Sequence, residues 1–382
     1  MKKRILIFYD HFYPAYKAGG PVQSLVNLVR QLNDQYDFYI VCKPHEMNET
    51  ELLKGVTINE WNSWENKAHV MYWNYSWNKK SEIKDLIHEI KPDVIYINGL
   101  FSLYFNILPL FYNLRKKSSL LNFKVVLSSR GMLHAGALSQ KKFKKNLFLF
   151  MFQFLNWQKK VRWHATDEQE AIFIKKQFGE SVDVSVAGNF PNLLLVITSA
   201  PKKKNELLLG TIALISPMKN HLEVLNALME VKGSVQWHIY GPVKDVTYWE
   251  ACKKQIALLP TTVQVHYHNE MPPDQLSKAM EQFQVFIMPS KSENFGHAIA
   301  EALSAGKPVI TTKTTPFHDL EKYKAGFSVE PNELKPGLIN SIQQLIDMDE
   351  QSFAELCISA KKYADEKFQI HQLVEQYQSL FQ

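Results

Sequence analysis

One stretch, PSKSENFGHAIAEALSAGKPVITT (289–312), holds the densest set of residues able to do chemistry. An apolar run ends at Pro289. Ser290, Ser292, Glu293 and Asn294 then make a polar loop, and Phe295, Gly296 and His297 open a helix. The first turn of a helix presents unpaired N–H groups and the positive end of the helix dipole, which suits a phosphate. Glycine at 296 lets a ligand approach the backbone closely. Glu293 falls in the loop, and Glu301, eight residues on, falls within the helix. Two carboxylates beside a phosphate would repel it unless they take hydroxyls instead, and the vicinal diols of a sugar or a ribose are natural donors to a carboxylate. The same pattern is equally met by Glu293 capping the helix and Glu301 standing on its solvated face.

Such a loop needs a scaffold, and the rest of the chain reads as one. KRILIFYD, YDFYIVC, DVIYINGL, FKVVLSSRG, RWHAT and VDVSVAG are strand-like. Helical segments lie between most of them: Leu25, Leu28, Val29 and Leu32 share one face after Gly20, and SEIKDLIHEI has Ser81 as its N-cap. After the polar, lysine-rich TSAPKKKNE (198–206) the alternation restarts. Strands LLLGTIAL, VQWHIYG, VQVHYH, QVFIMPS and PVITT alternate with helices over 219–230, 244–258, 272–282 and 295–305. This predicts an α/β fold with a parallel sheet in each of two domains, 1–197 and 206–365. At 382 residues, with 46% hydrophobic and 21% charged, the chain is long enough for two such cores. Ligands of parallel sheets bind outside the carboxyl ends of the strands, so the two sets of loops are expected to face each other across a cleft.

Several function classes are excluded. Cys42, Cys252 and Cys357 lie far apart without C-x-x-C spacing, which argues against a disulfide framework or zinc site and fits a reducing compartment. The basic, apolar N-terminus is broken at Asp10 and His11 with no small-residue cleavage site, so it reads as a first strand rather than a signal peptide. The longest apolar candidate, 147–157, is too short to span a bilayer. The net charge is +6, yet no acid occurs between Asp93 and Asp167, a window with twelve Lys or Arg. Within it, 139–163 carries seven basic residues, seven aromatics and no acid. That composition reads as a membrane-surface helix or as a core helix flanked by solvated lysines; nucleic acid is disfavoured, since no nucleic-acid motif accompanies the charge.

ENFGH followed by EALSAGKPVIT resembles the E-x7-E signature of the retaining family 4 glycosyltransferases of GT-B fold. The resemblance implies two Rossmann-like domains facing across a cleft, with a C-terminal helix (366–382) crossing back to the first. It also implies a nucleotide-sugar donor and retention of anomeric configuration. Glu293 would contact the donor hexose and Glu301 the ribose, with Asn294, Phe295, Gly296 and His297 around the hexose and phosphates. AGGP (18–21) resembles the glycine-rich loop that lets donor phosphates approach, through Gly19 and Gly20. In ALISPMKNH (213–221), Ser216 and Lys219 resemble the segment whose lysine neutralises the diphosphate. HIYGP, with Gly241, and the region of Glu270 resemble nucleobase-side loops; GNFPN and HATDEQE also have counterparts.

The sequence departs from the family at Leu214, where an arginine is common; losing one charge-assisted contact costs about 1.5–3 kcal/mol. Arg130, in SSRGMLH after a first-domain strand, is the candidate replacement or an acceptor ligand, with Asn98 and His134 on the same acceptor side. No cofactor and no metal are expected: Asp347-Met348-Asp349 reads as a solvated helix end, and the helix dipole with Lys219 would neutralise the leaving group. The expected partners are the nucleotide-sugar, a glycan or lipid-linked acceptor, and the inner membrane surface through 139–163, in the cytoplasm. A nucleotide-sugar epimerase of the same fold would need acid and histidine in the first-domain loops, where no acid is apparent. A non-catalytic member is suggested only by Leu214.

Overall fold

The computed structural model describes residues 2–75, 82–115, 123–133 and 142–382, which form two compact units. Residues up to Phe190, with Ile370–Gln382, make the first, and Pro191–Gln369 the second. Ser81, His134 and residues 139–141 lie outside the described residues.

In the first unit, strands β1 (Lys3–Phe8), β2 (Tyr36–Cys42), β3 (Trp61–Trp64), β4 (Ala68–Tyr72), β5 (Val94–Asn98), β6 (Lys124–Ser128), β7 (Arg162–Ala165) and β8 (Val184–Val186) form one sheet. Their order is β3-β4-β2-β1-β5-β6-β7-β8, parallel except where β3 meets β4. A strand buried on both faces needs an unbroken apolar run, and β1 supplies it. Leu6 and Phe8 enter the core beneath α2 (Glu82–Ile90), α3 (Leu108–Arg115), α4 (Lys142–Phe154) and α5 (Glu168–Phe178). Ile5 and Ile7 enter the opposite core with α1 (Gly20–Leu32) and the C-terminal helix Ile370–Leu380. The β3–β4 hairpin was not expected from sequence. Its turn puts Glu65 and Asn66 at φ 49° and 55°, as a type I′ turn demands, but without the glycine that usually signals one.

The second unit has a parallel sheet of β9 (Glu206–Ile212), β10 (Ser234–Tyr240), β11 (Val263–Tyr267), β12 (Val285–Ile287), β13 (Val309–Thr312) and β14 (Gly326–Val329), in the order β11-β10-β9-β12-β13-β14. Helices α6 (His221–Leu228), α7 (Val246–Ile256) and α10 (Leu334–Asp347) cover one face, and α8 (Leu276–Met280), α9 (His297–Ser304) and α11 (Glu350–Lys367) the other.

The division falls earlier than the lysine-rich stretch. Asn192 Nδ2 already donates to Glu301 Oε1 (3.2 Å), Leu194 N to Ser304 Oγ (2.9 Å) and Ile197 N to Ala305 O (3.0 Å). Lys202 is buried, its ammonium donating to the carbonyls of Lys203, Ile346 and Met348. At the far end α11 continues to Lys367, two residues beyond the expected limit of 365. Asp347 ends α10, and Asp349 caps α11 by accepting from Ser352 N (2.8 Å).

The C-terminal helix completes the first core. Tyr377 is 1% exposed, stacked on Phe190 at 5.2 Å and set edge-on to His164 at 5.4 Å. Tyr377→Ala is expected to cost the first unit about 3–5 kcal/mol. In urea unfolding this lowers the midpoint of one transition and leaves that of the second unit unchanged.

Candidate active site

In the second sheet the chain runs from β9 out to β10 and β11, then returns to β12 on the other side of β9, so the topological switch point lies between β9 and β12. The loops after these two strands are stitched together. Asn220 Nδ2 donates to Pro289 O (2.8 Å), Ser290 Oγ to Met218 O (3.2 Å) and Lys291 N to the same carbonyl (2.8 Å). Across this seam Lys219 Nζ pairs with Glu293 Oε1, their side chains 17% and 13% exposed. Ser216 closes the turn before Lys219, accepting from Lys219 N at 3.0 Å.

The neighbouring loops join the same edge. Gly241, after β10, sits at φ 143°, and a Cβ there would fall 1.9 Å from Ala213 O, so only glycine lets these loops touch. Its N–H donates to Asn269 O (2.7 Å), and its carbonyl accepts from Tyr267 OH (3.0 Å). Gly296 takes the left-handed conformation (φ 76°) as N-cap of α9, as a glycine can without strain. Asn294 is exposed; the Phe295 and His297 rings meet at 4.5 Å.

Glu301 is not on a solvated face. It is buried in α9, and burial pushes its carboxyl up to about 7, with the Asn192 bond opposing the rise. Leu214 is half-buried, and Lys291 stands exposed in the adjoining loop. His221 adds no cation: burial, then the charge of Lys219, push it down to about 4.

In the first unit Arg130 follows β6 in the left-handed region (φ 49°). Its turn is clamped by Glu170, which sequence reading missed. This buried carboxylate accepts from Ser129 Oγ and Gly131 N on one oxygen, and from Thr166 N and Oγ1 on the other. Burial raises the Glu170 pKa, but the bonds from Ser129, Gly131 and Thr166 outweigh it and hold the group below the usual range. The available signal was Asp167-x-x-Glu170, a capping-box spacing. Asp167 does cap α5 through Glu170 N (2.7 Å), while the Glu170 side chain goes to the loop.

Arg130 was expected to offer a cation to a ligand. In the structure its guanidinium is held within its own unit by neutral oxygens: Nε donates to Asn98 Oδ1 (2.8 Å), one terminal nitrogen to Asn189 Oδ1 (2.9 Å) and the other to Tyr96 OH (2.9 Å). The Tyr96 hydroxyl in turn meets His164 Nδ1 (2.7 Å), and His164 Nε2 meets Ala187 O (2.8 Å). Burial, then Arg130, hold His164 well below the usual histidine range, so it is neutral with its proton on Nε2.

Gly19 (φ 72°) precedes α1 with open space where a Cβ would stand, and Gly20 is exposed. The loop before them is tied down by Lys17 N donating to Glu46 Oε1 (3.1 Å). Sequence reading found no acid among the first-domain loops, but Asp10, directly after β1, is one. It pairs with Lys43 (2.8 Å) and accepts from Ser102 Oγ (2.7 Å).

Helix α4, from the basic aromatic segment, is two-faced. Leu149 and Phe152 are buried, while Phe143, Leu147, Phe150, Met151 and Phe154 are 82%, 52%, 64%, 52% and 76% exposed at helical spacing. Lys144 and Lys145 flank that stripe. Among the described residues no helix is long and apolar enough to cross a membrane.

Residues 197–367 match the family model described as glycosyl transferases group 1. Two curated relatives align over part of the chain. The sulfoquinovosyl transferase SQD2 of Arabidopsis thaliana is 27% identical over 122 residues, 31% of this chain and 22% of that protein. The poly(ribitol-phosphate) alpha-N-acetylglucosaminyltransferase of Staphylococcus aureus (strain COL) is 26% identical over 222 residues, 56% of this chain and 42% of that protein. The chain thus spans less than half the length of either relative. The crystal structure of Anabaena Alr3699/HepE with UDP and glucose superposes with a TM-score of 0.69 at 17% identity, covering 99% of this chain and 98% of the other. Residues 197–367 belong to the glycosyl transferases group 1 family, in a chain that has the two Rossmann-like domains of the GT-B glycosyltransferase fold.

Proposed function

We propose that this protein is a retaining glycosyltransferase that moves a sugar from a nucleotide diphosphate to a glycan or lipid-linked glycan without a metal, in bacterial surface polysaccharide assembly. The observation that carries the reading is the Lys219–Glu293 pair at the switch point, beside the helix that Gly296 opens. In the structure each charge is the other's counter-ion. When donor binds, Lys219 turns to the diphosphate and Glu293 accepts from hexose hydroxyls, with Asn294, Phe295, Gly296 and His297 around the hexose. Glu301 takes the ribose diol, and Ser216 and Gly241 line the donor. The bond from the sugar's anomeric carbon to the diphosphate breaks as the acceptor oxygen bonds to the same face, and the acceptor's proton leaves on the diphosphate. UDP and glucose in the Anabaena structure, and the alpha-linked product named for the Staphylococcus relative, support this choice.

The exposed stripe of α4, flanked by lysines, would seat the enzyme on the anionic inner leaflet from the cytoplasm. Each buried phenylalanine is worth about 1.5–3 kcal/mol. Changing Phe143, Phe150 and Phe154 together to serine is therefore expected to cut partitioning onto phosphatidylglycerol vesicles by about a thousandfold or more, as read by co-sedimentation. A second reading, nucleotide-sugar epimerase, gains Asp10 and His11 as its acid and histidine. NMR of the products separates the two, because an epimerised nucleotide-sugar formed without acceptor would replace the transferase reading.

Glu293→Ala removes a charged hydrogen-bond acceptor worth about 1.5–3 kcal/mol, so kcat/KM should fall about 10- to 150-fold. Transfer should persist in EDTA. A variant as active as the wild type would remove Glu293 from the site. For Glu301, ribose hydroxyls bond best to the ionised carboxylate, so UDP affinity should rise between about pH 6 and 8 and stay flat in Glu301→Gln. Folding stability behaves oppositely. The folded-state value is raised from 4.5 to about 7, so the stability gained by keeping Glu301 protonated is present at low pH and lost as pH rises through about 7. Glu301→Gln should therefore raise the thermal midpoint relative to wild type above that pH.

A further inference from the structure

Glu301 is held by a segment more than a hundred positions away in the chain, the stretch 191–197 that opens the second unit. Two backbone bonds lay this stretch against the end of α9: Leu194 N donates to Ser304 Oγ (2.9 Å) and Ile197 N to Ala305 O (3.0 Å). Ser304 Oγ in turn donates to Glu301 O (2.9 Å). These contacts fix the backbone of the segment whatever side chain stands at 192. Asn192 is half-buried, and its Nδ2 donates to Glu301 Oε1 at 3.2 Å.

Among the described residues Asn192 is the one hydrogen-bond partner of the Glu301 carboxyl. Charge adds nothing to its ionisation. Lys307, just past α9, is influenced by Cys357 of α11 and by Glu281, and neither Lys307, Lys219 nor Glu293 acts on Glu301. Burial raises the carboxyl to about 7, and the Asn192 bond alone opposes the rise. That bond also has a direction. The last torsion of a glutamate is broad, so a carboxylate tied at neither oxygen swings about it. Tied at Oε1, it presents Oε2 one way. The two hydroxyls of a ribose are held in fixed relation by their ring, and such a pair binds best to an acceptor already oriented for it.

We infer that Asn192 is a positioning residue for donor binding: by holding Oε1 of Glu301 it turns Oε2 to the 2′- and 3′-hydroxyls of the ribose. The inference rests on the transferase reading for its ligand. The test uses the full chain and two probes, UDP and 2′,3′-dideoxy-UDP, with binding read by calorimetry across the neutral range. The Glu301 carboxyl is titrated separately, by NMR of protein carrying carbon-13-labelled glutamate, its signal assigned through Glu301→Gln. Asn192→Leu keeps the size and loses the donor; Asn192→Asp keeps the shape and puts an acceptor in its place. In both, Glu301 should titrate about one pH unit or more above wild type, and the pH midpoint of UDP binding should follow it. Where Glu301 is ionised in both proteins, Asn192→Leu should still bind UDP about three- to tenfold more weakly than wild type. Dideoxy-UDP, lacking both hydroxyls, should bind the two alike. Should the leucine variant not fold, the isosteric aspartate variant decides. An unmoved Glu301 titration in a folded variant, or a loss of dideoxy-UDP affinity as large as that of UDP, would overturn the role. No UDP binding by the wild type counts instead against the transferase reading and removes the ribose with it, while the carboxyl titration alone still shows whether Asn192 holds Glu301.

Discussion

A parallel strand covered on both faces has no room for polar side chains along its length, and this constraint orders everything else in the protein. In β1, β5, β9 and β12 nearly every residue is committed to a core, so charge and hydrogen-bonding capacity are displaced to where the strands end. There the order of the strands opens a gap that no crossover covers. In the second unit the gap between β9 and β12 holds Lys219 and Glu293; in the first, the gap between β1 and β5 holds Asp10 and Ser102. The two units share no obvious sequence pattern at these points, yet the same geometric rule supplies a polar pair to each.

The pairs are held differently. Lys219 and Glu293 have backbone ties on both sides, through the carbonyls of Met218 and Pro289, so the loops stay in place if the charges part. In the first unit, rigidity around Arg130 comes from one buried carboxylate. Glu170 accepts four hydrogen bonds and so holds a left-handed turn that an arginine would not choose alone. The arginine's charge is then spread over neutral oxygens of Asn98, Asn189 and Tyr96.

Much of this was legible in the sequence, for a physical reason in each case. Apolar runs such as KRILIF and LLLGTI must be strands of a doubly covered sheet, and Gly296 after a polar loop marks where α9 begins. What was hidden depended on partners distant along the chain. Nothing local to Glu301 announces that Asn192 will bury it, and nothing in SSRGMLH says that Arg130 will be engaged by residues at 96, 98 and 189. The β3–β4 hairpin was missed because Glu65-Asn66 turns without glycine. Asp10 was visible but was read only as the end of a strand.

The C-terminal helix has a consequence for how the chain is made. Phe190 lies at the end of the first unit's continuous stretch, and the ring stacked on it, Tyr377, leaves the ribosome only after the whole second unit has emerged. Domains ordinarily fold in the order of their synthesis. Here the second unit, continuous from Pro191 to Gln369, can close first, while the first waits with the patch around Phe190 and Ala187 uncovered. The core of the N-terminal half therefore stays incomplete until the last segment of the chain has been made.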